Sequence, residues 1–504
     1  MKLKGRWKRA ALPLVFCLVG MAAFAACDQP PEEEPGEEET AVCEGWYVLD
    51  GKTVQGVDVT EEYLYNCIYF HEGVASWYEI DYSGMSEKSG AYTADETSVV
   101  IEIGVRTYSF SFDAQKNEIA FSGKINKQNV VMNYRFDKNF YLPVTENGAT
   151  FTEELFGESK EENFYNYCPS VMMEGNNVMH VWYCTNLESG IVRDYVGYRK
   201  GTLNASGKWE FSEKKIALSP DPDADKWDGK HTCDPSVVKG DFSMNGERYS
   251  YLMAYLGCKA GDVNSVGIAL SKTPEGPYIK VQSLNPIANY FTSDDYVDDG
   301  NYYWGYGQPC VISSDGAGKV LLFYSKGTSK KTCTQVEEWD LSDLGSPQKL
   351  RSAEVREKNV VNASGGSDCI NNADFSYDPA TGRLYCIKED FPYPSDDTGV
   401  TWLTGANTLM YADLGDRGFD LLFDSAEIYS WNVCDSLSAD GKTYVRAHNF
   451  GIVTDPFGRL VNPLRVPVLY TVSEAASAYP DWSLNGQWPA LHTYRIHGYV
   501  FEVS

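Results

Sequence analysis

Apolar residues along this chain come in short runs rich in Val, Ile, Tyr and Phe, bounded by Gly, Asn, Asp and Pro, and almost nowhere with a helical 3.6-residue period. The pattern predicts an all-β protein. Between residues 42 and 140 eight short strands follow one another: Gly45 to Tyr47, Tyr63 to Phe70, Ala75 to Ile80, Gly90 to Thr93, Ser98 to Ile103, Arg106 to Phe112, Glu118 to Phe121 and Val130 to Phe136. Consecutive antiparallel strands remove their exposed edges by closing into a barrel. So small a barrel is expected to fill its interior with side chains rather than ligand.

A polar stretch, residues 141–162, leads into a second unit over 163–504, where one pattern returns five times. The copies open at Cys168-Pro-Ser-Val, Asp234-Pro-Ser-Val, Gln308-Pro-Cys-Val, Ala373-Asp-Phe-Ser and His448-Asn-Phe-Gly, spaced 66, 74, 65 and 75 residues apart. Each is a short strand, a turn with Gly or Asp, and a second apolar strand. Five repeats of three or four antiparallel strands predict a five-bladed β-propeller, since each blade buries its faces only against its neighbours. A β-sandwich is the competing architecture. The tail His492 to Val503 is expected to pair with an early strand and close the ring.

The amino terminus is not part of either unit. Five basic residues precede an apolar run from Ala10 to Phe24 and then Ala25-Ala26-Cys27, the layout of a secretory signal peptide over residues 1–26. The small residues before Cys27 resemble a bacterial lipobox, which implies a lipid on that cysteine and a chain anchored to the cell membrane, facing outside the cytoplasm. Residues 27–41, with six Glu and three Pro between Asp28 and Thr40, read as an extended tether. Without the five basic leader residues the formal charge falls from −28 to about −33. That charge disfavours nucleic acid and anionic lipid, leaving the lipid anchor as the only membrane contact. A monomer is expected.

Of thirteen cysteines, Cys17 leaves with the leader and Cys27 carries lipid, so an odd number remains. Cys168, Cys233 and Cys310 at strand starts and Cys184, Cys258 and Cys386 near strand ends fall in phase with the repeat, and read as small buried residues rather than staples. Cys43 with Cys67 is the expected pair. No C-x-x-C spacing marks a zinc site. No G-x-S-x-G elbow, nucleotide-binding glycine loop or H-E-x-x-H helix is present, so esterase, kinase and zinc-protease readings lack support.

The Gly-x-Tyr opening at Gly45-Trp46-Tyr47 and the strand count resemble the lipocalin-like domains of bacterial lipoproteins. The x-Pro-Ser-Val strand starts, with Ser271-Lys-Thr-Pro-Glu-Gly-Pro-Tyr278, resemble glycoside hydrolase family 43 and its five-bladed relatives over residues 163–504. The resemblance implies that the residue before Pro on each innermost strand faces a central pocket. It would gather Tyr167, Cys168, His231, Asp234, Trp304, Gln308, Asp374, His448 and Asn449 there, and the ligand would be an oligo- or polysaccharide. Tyr302, Tyr303, Trp304 and Tyr306 are candidates for a sugar-stacking rim.

Glycoside hydrolysis needs one carboxyl group held neutral and one ionised. In the resembled family these are an Asp at the first blade's start and a Glu from a later blade, with a second-blade Asp tuning the donor. Asp234 matches the second-blade Asp. Cys168 stands where the first Asp is expected and cannot act as a carboxylate base. Asp374, Glu389 and Asp390 are the other carboxylates within reach, each also readable as a strand-end or turn residue. His448 matches a histidine that reaches an axial metal or its water in several relatives, and equally suits a satisfied core position. No cofactor is required; Ca²⁺ on the axis is an option, and the acidic loop Asp294, Asp295, Asp298 and Asp299 reads either as a calcium ledge or as a solvated loop. The resemblance implies a glycoside hydrolase acting on arabinose- or xylose-type glycans, and Cys168 keeps open a catalytically silent glycan-binding lipoprotein.

Overall fold

The computed structural model describes residues 42, 44–60, 65–71, 73–81, 84–137, 140, 154–156, 162–175, 177–204, 208–259, 263–479 and 489–503. The expected leader, Cys27, the acidic tether, Cys43 and most of 141–162 lie outside them. Among the described residues no helix is long and apolar enough to cross a membrane.

The first unit is a closed antiparallel barrel. Eight strands (Gly45–Val54, Tyr65–His71, Val74–Asp81, Gly84–Ala94, Ser98–Ile103, Arg106–Asp113, Glu118–Ile125 and Gln128–Phe136) pair in chain order, with Val57–Asp58 added at one side. Gly45–Val54 pairs back onto Gln128–Phe136 and leaves no open edge. Strict alternation decides which face is inside: along Arg106–Asp113 every second residue from Tyr108 to Phe112 is buried. Tyr47, Phe70, Trp77, Tyr92, Tyr108, Phe110 and Tyr134 fill the interior. Inside it Trp77 Nε1 and the Tyr134 hydroxyl both donate to Asn66 Oδ1, at 3.1 and 2.9 Å. Cys67 lies buried in the barrel wall as a free thiol.

Among the described residues the second unit contains three four-stranded antiparallel sheets and one of eight strands. The four-stranded sheets begin at His231–Met244, Gly305–Ser313 and Asp374–Asp378, and strand order follows chain order in each. The eight-stranded sheet joins two antiparallel groups, one starting at Asn166–Glu174 and one at Arg446–Thr454, through a parallel pairing of Val171 with Val453 and Met172 with Thr454. The first group continues through Val178–Thr185 and Tyr195–Leu203. The tail strand, Arg495–Glu502, runs antiparallel beside Arg465–Ser473 in the last group, and it also meets early chain: Glu154 bridges His497, the Leu155 N–H donates to the Ile496 carbonyl, and Asn166, at the start of the first innermost strand, donates its N–H to the Tyr494 carbonyl. The first and last groups meet as well through their innermost strands.

Five innermost strands share one local device. Cys168, Asp234, Gln308, Asn372 and Asn449 all have φ between 44° and 49°, a conformation that L-residues other than Asn and Asp avoid. In four of the five strands the register slips there, a β-bulge that turns the side chain off the sheet. The repeat therefore starts at Asn372 and Asn449 in its fourth and fifth copies, one residue from the Ala373 and one residue from the His448 expected from sequence. Pro169, Pro235 and Pro309 follow the first three, where a proline adds no N–H that the narrow axis would have to satisfy.

Two sets of cross-sheet bonds fix these strands. Two residues beyond the axial position, Ser236 Oγ accepts from Val311 N (3.0 Å), Cys310 Sγ from Phe375 N (3.4 Å) and Asp374 Oδ2 from Ile452 N (2.7 Å), each on the next innermost strand. The fifth equivalent, Gly451, has no side chain, and a Cβ there would lie 2.1 Å from the Pro169 carbonyl oxygen. The axial amides bond backwards: Cys168 N to Thr471 Oγ1 (3.1 Å), Asp234 N to Cys184 Sγ (3.0 Å), Asn372 N to Ser325 Oγ (2.9 Å) and Asn449 N to Glu389 Oε1 (3.2 Å).

Gly451→Ala is expected to push the last innermost strand from the first and to destabilise the chain by about 1–3 kcal/mol, read as a lower midpoint in urea unfolding. An unchanged midpoint would mean that this junction gives way without cost.

Candidate functional site

The five axial residues and those just after them surround a narrow shaft of about 40 Å³. At the strand-start end it opens into a cavity of about 480 Å³, within the range of small-molecule sites, with Cys168, Asp234, Gln308, Asn372 and Asn449 as its floor. The walls follow from antiparallel pairing. A second strand ends, and a third begins, at the same edge where the innermost strand starts, so the loops there rise around the floor. They supply Asp194, Lys230, Tyr302, Trp304, Trp402 and Tyr494, and the strand ends add His231 and Cys258. Tyr302 is 73% exposed and stands free at the mouth, and Trp402 Nε1 donates to the Tyr494 hydroxyl at 3.3 Å. Such rings give flat apolar faces with polar edges. Gln308 Oε1 is buried with no hydrogen-bond partner among the described residues, an acceptor left for a hydroxylated ligand.

Three carboxyl groups meet this site in different states. Burial pushes Asp234 up to about 7, a hydrogen bond from the Cys168 thiol works the other way, and the charges of Asp194 and Glu389 add to the rise. Asp194 is held below the usual carboxylate value: burial acts to raise it, but His231 Nδ1 lies 2.7 Å from Oδ2 and the Tyr165 hydroxyl donates to Oδ1 at 2.7 Å. Glu389 is fully buried and raised by desolvation. It accepts from Tyr393 (2.6 Å), Asn372 Nδ2 (2.8 Å) and Asn449 N (3.2 Å).

Of the residues expected from sequence, Tyr167, Cys168, His231, Asp234, Trp304, Gln308 and Asn449 line the cavity. Asp374 lines the shaft below it, where its Oδ2 holds Ile452 N and burial raises it to about 6. Glu389 sits behind the floor and holds Asn372 and Asn449. Asp390 is turned to the fully buried Lys388, 2.8 Å away. His448 lies one residue before the axial position, its Nδ1 on Asn449 Oδ1 and its ring 4.8 Å from Tyr494. Burial lowers it to about 4, and its Nε2 has no hydrogen-bond partner among the described residues. In the acidic loop Asp295 is committed to Lys326 and the Tyr306 hydroxyl, both at 2.6 Å. Asp194, Trp402 and Tyr494 escape the sequence reading because they sit in loops rather than in the repeated strand starts.

The cysteines depart from expectation. Cys184 and Cys233 form a disulfide, with Cα atoms 5.1 Å apart. They occupy different positions of neighbouring sheets, the end of a second strand and the start of the next innermost one, so the separation of equivalent positions does not apply to them. The Cys168 sulfur lies beside this bond, and Asp234 Oδ1 is 3.1 Å from Cys233 Sγ.

No family model matches this sequence, and none of the curated proteins does. The solved structures it resembles include glycoside hydrolases. Zg3597, a family 117 enzyme of Zobellia galactanivorans, is 12% identical over 69% of this chain and 87% of its own, with a TM-score of 0.39. CoXyl43, a family 43 β-xylosidase/α-arabinofuranosidase from a compost metagenome, determined with xylotriose, is 14% identical over 70% and 94%, with a TM-score of 0.39. The α-L-arabinofuranosidase PaAbf62A of Podospora anserina, determined with cellotriose, is 12% identical over 71% and 99%, with a TM-score of 0.38.

An Asp raised from 3.8 to about 7 favours the folded chain while protonated, and that contribution is lost as pH rises through this window. Asp234→Asn should therefore leave stability near pH 4 unchanged and raise it progressively towards pH 7, on the order of 4 kcal/mol at the top. Thermal unfolding of both proteins from pH 4 to 8 checks this, and parallel curves would refute it.

Proposed function

We propose that this chain is a carbohydrate-active protein whose pocket hydrolyses a glycosidic bond in arabinose- or xylose-type glycans. The observation that carries this reading is the convergence of Asp194 and Asp234 on one aromatic-walled cavity, in opposite protonation states near neutrality. Asp234 is the proton donor: buried and neutral up to about pH 7, it protonates the leaving oxygen. Asp194, kept ionised by His231 and Tyr165, takes the base or nucleophile role that Cys168 cannot fill. Trp304, Tyr302 and Trp402 give the ring faces on which a sugar stacks, and Gln308 Oε1 accepts a sugar hydroxyl.

On this reading the sheets form a five-bladed propeller, the eight-stranded sheet being its first and last blades joined, and the barrel is a lipocalin-like accessory module. The sugar class rests on the resemblance of the strand-start motifs. The chemistry requires no cofactor; His448 Nε2 is the group left to reach an axial calcium ion or its water. Export, a lipid on Cys27, anchoring outside the cytoplasm and a monomeric state complete the proposal.

A second reading, a silent glycan-binding lipoprotein, draws on one observation: a thiol and a disulfide stand at the floor where a first-sheet carboxylate is expected.

The soluble form beginning after Thr40 should release reducing sugar from xylan, arabinan or their oligosaccharides. Asp234→Asn and Asp194→Asn should each lower kcat by about 10²–10⁴ while sugar binding, read by calorimetry, persists. Binding without turnover by the unaltered chain transfers the conclusion to the second reading, and neither binding nor turnover across the panel sinks both.

A further inference from the structure

At the cavity floor three sulfurs and a carboxylate oxygen come together. Cys168, Cys184, Cys233 and Asp234 each present one donor atom, all within 4.8 Å of one another, and all four residues are buried. We propose that, when reduced, this cluster binds a thiophilic divalent cation of the zinc type, and that the Cys184–Cys233 disulfide is its oxidised, closed state.

The donor set fits such an ion. Zinc takes four ligands at tetrahedral corners, with Zn–S near 2.3 Å, so neighbouring sulfurs in a filled site lie about 3.8 Å apart. No two of the four donors are more than 4.8 Å apart, and the Cys184 and Cys233 sulfurs, bonded to each other in the closed state, are the pair that has to separate to reach that spacing. Three thiolates and one carboxylate around a divalent ion leave a net charge of −2, the same as a four-cysteine zinc site. Soft sulfur donors select zinc or cadmium over calcium or magnesium.

The surroundings meet the other requirements of a metal site. Every ligand comes from a strand or its first residue: Cys168 from Asn166–Glu174, Cys184 from Val178–Thr185, and Cys233 with Asp234 from His231–Met244. Asp234 N donates to Cys184 Sγ at 3.0 Å, an outer bond that favours a thiolate there. Cys168 and Asp234 both line the open cavity, which gives an ion a path in, and Lys230 on the same wall offsets negative charge. Small buried cysteines are ordinary core residues, and Cys67, Cys310, Cys333 and Cys386 fit that description. Core packing does not account for three sulfurs converging on a carboxylate, the one such group among the described residues.

Conversion between the states balances simply. A dithiol reductant gives two electrons and two protons to the Cys184–Cys233 bond and becomes a disulfide itself. Ion binding then displaces the three thiol protons and the Asp234 carboxyl proton to solvent.

The test uses the soluble full-length mature chain, reduced anaerobically with dithiothreitol, freed of reductant and titrated with Cd²⁺ alone. One ion per chain is expected, with an ultraviolet sulfur-to-cadmium charge-transfer band that Zn²⁺ competes away. The untreated disulfide form should take up none at this site. Cys168→Ser should lose about a third of the band and at least tenfold in affinity, and Asp234→Asn should lose affinity but keep the band. Cys434→Ser, distant in the chain and outside the cluster, should bind as the unaltered protein does. No uptake by a chain whose thiol count shows the bond open and whose melt shows it folded would overturn the proposal, as would unchanged affinity in both Cys168→Ser and Asp234→Asn. Sugar release is not a readout, so this result stands or falls apart from the hydrolase reading.

Discussion

Each innermost strand enters its sheet through a residue bent into the left-handed region, and much of the second unit answers to that bend. At about 1–3 kcal/mol for a non-glycine residue, the conformation persists only where its surroundings over-determine it. Here, in four copies, the neighbour on one side receives the bent residue's amide, on Thr471, Cys184, Ser325 or Glu389, and in three the neighbour on the other is held by the side chain two residues further on, Ser236, Cys310 or Asp374. The bend aims five side chains at a common axis, and the bonds hold them there. Because the device recurs in every copy, the strain at Asp234 or Cys168 belongs to the architecture and is no sign of chemistry at that position alone.

The same scheme explains why a buried glutamate is tolerated. Glu389 occupies the place that Thr471, Ser325 and Cys184 hold in other sheets, receiving the next axial amide, and it adds Asn372 and Tyr393 as donors. Its charge, with that of Asp194, helps to raise Asp234. A carboxylate doing the work of a serine hydroxyl thus sets the electrostatic tone of the pocket from behind its floor. Asp374 behaves likewise one layer down, where it does for Ile452 what Ser236 does for Val311.

The all-β class, the eight staves of the barrel and the floor of the pocket were legible because they rest on periodic signals: alternation along strands, and proline after an axial residue in three copies. The two copies without proline were read one residue out of frame, since Ala373 and Phe450 carry no mark of the bend. The walls were not legible. Asp194, Trp402 and Tyr494 lie in loops of unequal length, and only the antiparallel course of the strands brings those loops to one edge. The disulfide was missed because comparing like positions in different repeats hides a contact between unlike positions in adjacent ones. The tail's place beside Arg465–Ser473 carries no sequence mark either, since it depends on Gly451, where the first and last innermost strands meet backbone to backbone.

The narrowness of the axial shaft has its own consequence. At about 40 Å³ it has room for a few waters and none for a sugar ring. A ligand seated in the cavity above therefore cannot move on along the axis, because the shaft behind the floor admits nothing much larger than water. Depth in this pocket thus ends at the ring of Cys168, Asp234, Gln308, Asn372 and Asn449, and whatever the cavity holds meets those five side chains at its inner limit.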